Sequence, residues 1–281
     1  MKKFKNTFAI TLLGVATILF SCEKESTTQN DTADELTPTN EVSQDILDKL
    51  EKLAFNTNNV TVEDITLPDG TTEKRYMVEG DITLSEDYIN TMELNGGVQS
   101  EQYRTRNLVR PGRYTVVGFT GGRFALSERG RTGLQWAVNN YNRLNLNISL
   151  DLSFGTDIDD ADMVIYDNPD QRGSGGSAGF PVGGRPHRLI QIYGLDRSSN
   201  NVNEHVITHE IGHALGFRHT DYFSRQSCGQ RTNEGSGGVG AIQIPGTPTG
   251  FDPTSIMLSC FSNSTDGEFN RNDITALNFL Y

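Results

Sequence analysis

The sequence predicts an α+β protein that carries its chemistry on one helix. Three observations support this. Short apolar or alternating runs at residues 114–119, 148–154, 162–166 and 188–193 have the period and length of strands. Between the first two, Leu134, Ala137, Val138 and Tyr141 recur at helical spacing and predict a helix over residues 127–144. After the last, residues 209–219 read H-E-I-G-H-A-L-G-F-R-H, a helix end with histidines four apart. The strand-and-helix region spans residues 104–281, a length that suits one domain.

The elements before it follow in order. Lys2, Lys3 and Lys5 precede an apolar run at residues 8–20, too short for a comfortable membrane span and suited to a signal peptide. The run ends in Leu19-Phe20-Ser21-Cys22, which resembles a bacterial lipobox. That resemblance implies removal of residues 1–21, lipidation of Cys22 and attachment to the bacterial cell envelope, with contact to the membrane through the lipid only. The alternative is a plain secretory signal with an incidental cysteine. Residues 23–43 are rich in Ser, Thr, Asn, Glu and Asp, with too little apolar surface to fold, and are expected to form a tether.

From Ile46 the pattern changes. Ile46, Leu47, Leu50 and Leu53 predict a short helix, and residues 60–67 and 75–84 two alternating strands around the turn signal Pro68-Asp69-Gly70. Residues 44–103 are therefore expected to form a small pro-region, or else an N-terminal subdomain that is never removed. Residues 104–106, Arg-Thr-Arg, are the expected cleavage region.

Histidines four apart on a helix lie on one face, so His209 and His213 can aim two imidazoles at one point, which suits zinc. Gly216 can adopt the positive φ that ends a helix, letting His219 swing back as third ligand. Glu210 then falls beside the metal, placed to take a proton from a water there. His205, one turn earlier, is a competing ligand, but three histidines already leave the single open position that a catalytic zinc needs. Trp136 is expected in the core or in a pocket wall.

These residues resemble the metzincin signature H-E-x-x-H-x-x-G-x-x-H. Ser255-Ile256-Met257, 38 residues after His219, resembles the Met-turn, which implies that Met257 lies under the histidines without ligating. The H-E-I-G-H wording and Ile244-Pro245-Gly246-Thr247-Pro248 are similar to the bacterial HEIGH-type (dual-action) metallopeptidases. Over residues 104–281 the resemblance implies a twisted mixed sheet, two long helices and a loop-rich lower half. It also implies zinc-dependent endopeptidase activity with Glu210 as proton carrier. Residues 188–193 stand where metzincins have the edge strand that holds a protein or peptide substrate, and residues 240–252 where the specificity wall is expected. Ser259 replaces the tyrosine that can reach the zinc in astacin-like enzymes, and Thr220-Asp221 after the third histidine argue against a strict astacin or snake-venom-type enzyme. Val78-Glu79-Gly80-Asp81-Ile82 is similar to the F-x-G-D-I stretch of astacin propeptides, with Val78 in place of phenylalanine. This implies that Asp81 caps the zinc in a latent form.

With Cys22 assigned to lipid, Cys228 and Cys260 remain in an oxidising compartment, where pairing is the default. The acidic run Asp157, Asp159, Asp160 and Asp162 is compatible with calcium or with a solvated loop, and zinc is the metal expected. The formal net charge of −12 is local: residues 23–103 hold 5 basic and 19 acidic side chains, and residues 104–281 hold 16 and 17. With no basic patch interleaved with aromatics, the sequence argues against nucleic acid as a partner. A second class of function, a surface-anchored binding or adhesin-like lipoprotein with a structural metal site, differs in having no use for a base beside an open position; Glu210 favours catalysis.

Overall fold

A computed structural model describes residues 41–53, 55–91, 103–234 and 241–281. The expected signal peptide, Cys22 with its expected lipidation, the expected tether up to residue 40, and Gly240 lie outside the described residues.

The first helix, α1 (Gln44–Lys52), starts where the Ser43 side chain accepts from the Ile46 amide. Of the expected stripe, Ile46, Leu50 and the C-cap Leu53 are buried, and Leu47 is half-buried. Strands β1 (Thr61–Thr66) and β2 (Thr72–Val78) form the expected hairpin, with Thr66 opposite Thr72 and Gly70 at φ 84° in the turn. The run at residues 75–84 is not one strand, however. The chain reverses at Glu79 (φ 57°) and Gly80 (φ 96°), and β3 (Ile82–Leu84) returns antiparallel to β2 with Val78 opposite Ile82. Alternation cannot register this turn, because Val78, Ile82 and Leu84 have the same parity and all are buried. Helix α2 (Glu86–Thr91) follows. Side chains of α1, β2, β3 and α2 pack with Phe180, while Ile65 and Leu67 pack with Val117, Phe119, Val164 and Tyr166. The N-terminal elements are thus docked on the rest of the fold by apolar contact, the main favourable term in such packing.

The larger part begins with β4 (Tyr103–Arg104) and continues through β5 (Gly112–Phe119), α3 (Glu128–Asn142), β6 (Ile148–Gly155), β7 (Met163–Asp167), β8 (Gly175–Ser177), β9 (Leu189–Tyr193) and α4 (Asn200–Leu215). Strand β10 (Ile242–Gln243) pairs with β4, and α5 (Arg271–Leu280) comes last. The main sheet has the order β6-β5-β7-β9-β8; β8 is antiparallel to β9 and the other pairs are parallel. Leu134, Val138, Ile165, Ile192, Val206 and Ile211 belong to the core shared by the sheet, α3 and α4. The two helices meet closely at Gly133, where a Cβ would lie 2.7 Å from the Glu204 nitrogen. This is the expected α+β architecture, a mixed sheet with two long helices, followed by a lower half with few regular elements among the described residues.

Three expectations change. The edge strand is β8, inside residues 173–179, a Gly/Ser-rich stretch whose composition reads as a loop, and β9 is interior between β7 and β8. Glycine is depleted in strands, so composition points to a loop there; packing overrides it, since a Cβ on Gly176 would lie 2.6 Å from Glu210 Cγ of α4. Trp136 is 38 % exposed and belongs to the outer face of α3, because the buried stripe through Leu134, Ala137, Val138 and Tyr141 faces the other way. Residues 104–106 are not an exposed linker: Thr105 is buried and its amide donates to the Gly216 carbonyl, while Arg218 N donates to Tyr103 O.

Cys228 and Cys260 are bonded, S–S 2.09 Å. Closing the 32-residue separation restricts the unfolded chain by about 3.5–4 kcal/mol in the chain-entropy estimate. In the acidic run, Asp162 accepts from the Thr115 amide and hydroxyl, and these aspartates form no metal-binding group among the described residues. Among the described residues no helix is long and apolar enough to cross a membrane.

Candidate metal centre and cleft

Helix α4 is capped by Ser199, whose side chain accepts from Val202 N, and every residue from 202 to 215 is buried. It is therefore a central helix rather than an amphipathic surface one. It ends at Gly216 (φ 112°), whose amide donates to Gly212 O and His213 O. A Cβ there would be strained by φ and would meet Asn107 O at 3.0 Å. The reversal brings His219 back, with its Nε2 3.2 Å from His213 Nε2.

One carboxylate joins them. Asp81 Oδ2 lies 2.9 Å from His219 Nε2 and 3.6 Å from His209 Nε2. One ligand atom from each of Asp81, His209, His213 and His219 lies within 4.8 Å of all the others. Each imidazole is anchored through its other nitrogen. His209 Nδ1 lies 2.8 Å from Ile256 O and His213 Nδ1 2.8 Å from Phe217 O, while His219 Nδ1 lies 3.0 Å from Glu234 Oε2. Donation of Nδ1–H to these acceptors leaves the Nε2 lone pairs facing one another, the tautomer that a metal requires. His209 Nε2, Asp81 Oδ1 and Glu210 Oε2 are buried without a hydrogen-bond partner. Three imidazole nitrogens and one carboxylate oxygen at mutual contact distance fit a tetrahedral zinc.

The residues below are set by the turn through Ser255, Ile256 and Met257. Asp273 holds it, accepting from Ser255 Oγ at 2.7 Å and Ile256 N at 3.0 Å. Met257 is buried under α4, so close that a Cβ on Gly212 would clash with its sulfur. Ser259 donates to Asp221 and Glu234, not toward the histidines. Asp221 also accepts from Ser227, tying down the loop that contains Cys228.

Glu210 lies against Gly176 of β8 and is 2 % exposed. Burial pushes its carboxyl well above the usual range; the Asp81 charge adds to this and His219 opposes it. For Asp81 burial also acts upward, but His219 and His209 outweigh it and hold the carboxyl well below the ordinary value. Burial would lower His219, but Asp81 and Glu234 raise it well above its usual value. His205 is not part of the group: its Nδ1 lies 2.6 Å from Thr265 Oγ1, and burial lowers it to about 3.

Sequence reasoning missed a buried ionic network beside the histidines. Glu79 and Arg218 form a pair with both side chains 1 % exposed, at 3.0 and 2.8 Å from Arg218 Nη2. Arg225 donates to the Glu79 carbonyl at 2.8 Å and to Glu234, which is fully buried. Burial acts upward on the Glu79 carboxyl and the Arg218 guanidinium opposes it. No spacing rule links residues 79, 218, 225 and 234, so only the fold could reveal them. A cleft of about 390 Å³ beside the histidines is lined by Gly175, Tyr193, His205, Glu210, Arg225 and Phe261, among others. Within residues 240–252, where the wall is expected, Ile244 is in the core and Gly246 approaches Thr275 of α5.

Among known proteins, no curated protein matches the chain. Two solved structures of myroilysin are similar to it. One is 14 % identical, covering 62 % of this chain and 82 % of that one with a TM-score of 0.40; the other is 15 % identical, covering 60 % and 83 % with a TM-score of 0.37. The family model described as dual-action HEIGH metallo-peptidase matches residues 76–281. The match starts ahead of residue 104 and so takes in the Glu79–Gly80 turn and Asp81. Three-quarters of the chain, roughly, and the whole histidine-bearing region fall within it, and the chain belongs to the dual-action HEIGH metallopeptidase family.

Proposed function

We propose that this metallopeptidase is a zinc endopeptidase whose ligands are His209, His213 and His219, with Glu210 as proton carrier and Asp81 as a latency switch. The observation that carries the proposal is the convergence of three Nδ1-anchored imidazoles on one point, with the Asp81 carboxylate at the fourth position. When bound, zinc supplies a Lewis acid that activates water and polarises the scissile carbonyl. Glu210 accepts the proton of the attacking water and hands it to the departing amine, which its place beside the cleft allows. Gly176 gives Glu210 room, and β8 offers an edge to which an extended peptide substrate can add. Met257 is an apolar floor.

The test of the ligand set is metal content. Purified His213→Ala and His219→Ala are expected to lose most of their zinc by elemental analysis while the Cys228–Cys260 bond still forms. Stoichiometric zinc in both variants would reject the site.

Residues 44–91 are proposed to act as a pro-region. Because Tyr103 and Arg104 are woven into the larger part through β4, cleavage is assigned to residues 92–102 rather than to Arg104 or Arg106. Residues 92–102 contain Glu93 and Glu101 and neither Lys nor Arg. Attachment to the envelope through lipidated Cys22 rests on the lipobox-like residues 19–22. Cys22→Ser is expected to move the protein from the membrane fraction to the soluble fraction, and unchanged fractionation would reject the anchor.

A further inference from the structure

A segment that fills a cleft carries an imprint of what the cleft accepts. The stretch carrying Asp81 does so at two points, and at the second the side chain is received by a guanidinium. Two residues before Asp81, Glu79 inserts a carboxylate that is 1 % exposed and places both oxygens on Arg218. Its backbone is left-handed (φ 57°), a conformation that favours glycine or asparagine over glutamate. Backbone geometry therefore does not call for Glu at this position; the guanidinium does.

The surroundings divide cleanly by origin. Phe55, stacked over Arg218 at 5.5 Å, and the Asn56 amide near Glu79 Oε1 come from the N-terminal elements. Arg218, Tyr222 and Arg225 come from the larger part and stay when those elements withdraw. Glu234, an acidic neighbour from that part, is engaged by His219, Arg225 and Ser259. Arg218 immediately precedes a proposed zinc ligand, so the space is beside the reacting centre.

We infer that the space filled by Glu79 is an acid-binding subsite of the opened enzyme, in which Arg218 receives the carboxylate and Arg225 the backbone carbonyl of the same residue, and which selects substrates with a Glu or Asp side chain close to the scissile bond. This rests on the proposal that the Asp81 segment occupies the substrate cleft. One guanidinium nitrogen, Arg218 Nη2, meets both carboxylate oxygens, a charge-assisted contact for which the isosteric amide supplies one acceptor and no charge. Discrimination of about tenfold or more between Glu and Gln follows from the usual strength of charged hydrogen bonds.

The test uses the full chain, zinc-loaded and processed within residues 92–102 by itself or by an added glutamyl endopeptidase that is then inhibited. Cleavage of a peptide library is expected to show Glu and Asp enriched at one fixed position within three residues of the cut. A peptide pair differing only by Glu or Gln there should differ in kcat/KM by about tenfold or more, and the ratio should fall toward one in Arg218→Gln. Because a buried arginine variant can fail to fold, a second measurement stands apart from it and from turnover. A labelled peptide of residues 76–84 should bind the processed wild-type chain about tenfold more tightly than the same peptide with Glu79→Gln. A library that is cut without acidic enrichment, or equal binding of the two labelled peptides, overturns the subsite. If no preparation cuts any peptide, the peptidase reading fails, and the binding comparison alone decides on the subsite.

Discussion

Replacing Glu210 by Gln is expected to lower kcat by about 10²–10⁴-fold while zinc content, fold and the Cys228–Cys260 bond stay unchanged. The exchange is close to isosteric, which matters here because Glu210 is packed against Gly176 with almost no free surface. An alanine would leave a hole beside β8 and mix a packing loss with a chemical one. Gln keeps the volume and removes only the capacity to take a proton. The comparison belongs in the processed chain, where Asp81 does not mask the effect. KM should change little, since Glu210 is assigned to proton transfer rather than to binding. Near-wild-type kcat in Glu210→Gln would reject the mechanism even if the zinc site stands.

What could be read from the sequence was whatever depends on local periodicity. His209, His213, Gly216 and His219 obey helical geometry plus one stop, and the structure brings the three imidazoles together. The strands near residues 114–119, 148–154 and 163–167 and helix α3 were legible for the same reason. Features set by tertiary packing were not. The turn at Glu79–Gly80 is invisible to a period of two, because it returns the chain in the same parity. Strand β8 is hidden by its glycines, whose cause is a helix residue 34 positions later, Glu210 against Gly176. Arg218, Arg225 and Glu234 are ordinary surface types in sequence, and only the burial of Arg218 and Glu234 and the hydrogen bonds of Arg225 to Glu79 and Glu234 mark them. Arg104 and Arg106 are half-exposed, but Tyr103 and Thr105 beside them are tied to the segment around His219 by hydrogen bonds that no local pattern encodes.

The second large effect is expected at Asp81. In full-length protein, Asp81→Ala should raise peptidase activity by about tenfold or more over wild type, because an intramolecular ligand acts at an effective concentration in the millimolar range and its loss reopens the fourth position. Activation by this change alone should be incomplete. The segment is also held by Glu79 on Arg218 and by backbone bonds along the sheet edge, Thr83 N to Ala178 O at 2.9 Å and Ala178 N to Asp81 O at 3.0 Å. These would keep the backbone of residues 80–82 across the cleft after the carboxylate is gone. The order of activity on one peptide substrate is therefore expected to be wild-type full chain, then Asp81→Ala, then Glu79→Ala/Asp81→Ala, then the chain processed within residues 92–102. Asp81→Asn should resemble Asp81→Ala, since a neutral amide is a poor match for a set of ligands that favours a carboxylate. Equal activity in all of these preparations would mean that residues 44–91 are a structural appendage and that Asp81 does no more than follow the turn. Activation by processing without any gain from Asp81→Ala would mean that the segment blocks the cleft by its backbone and by Glu79, with no switch at the metal.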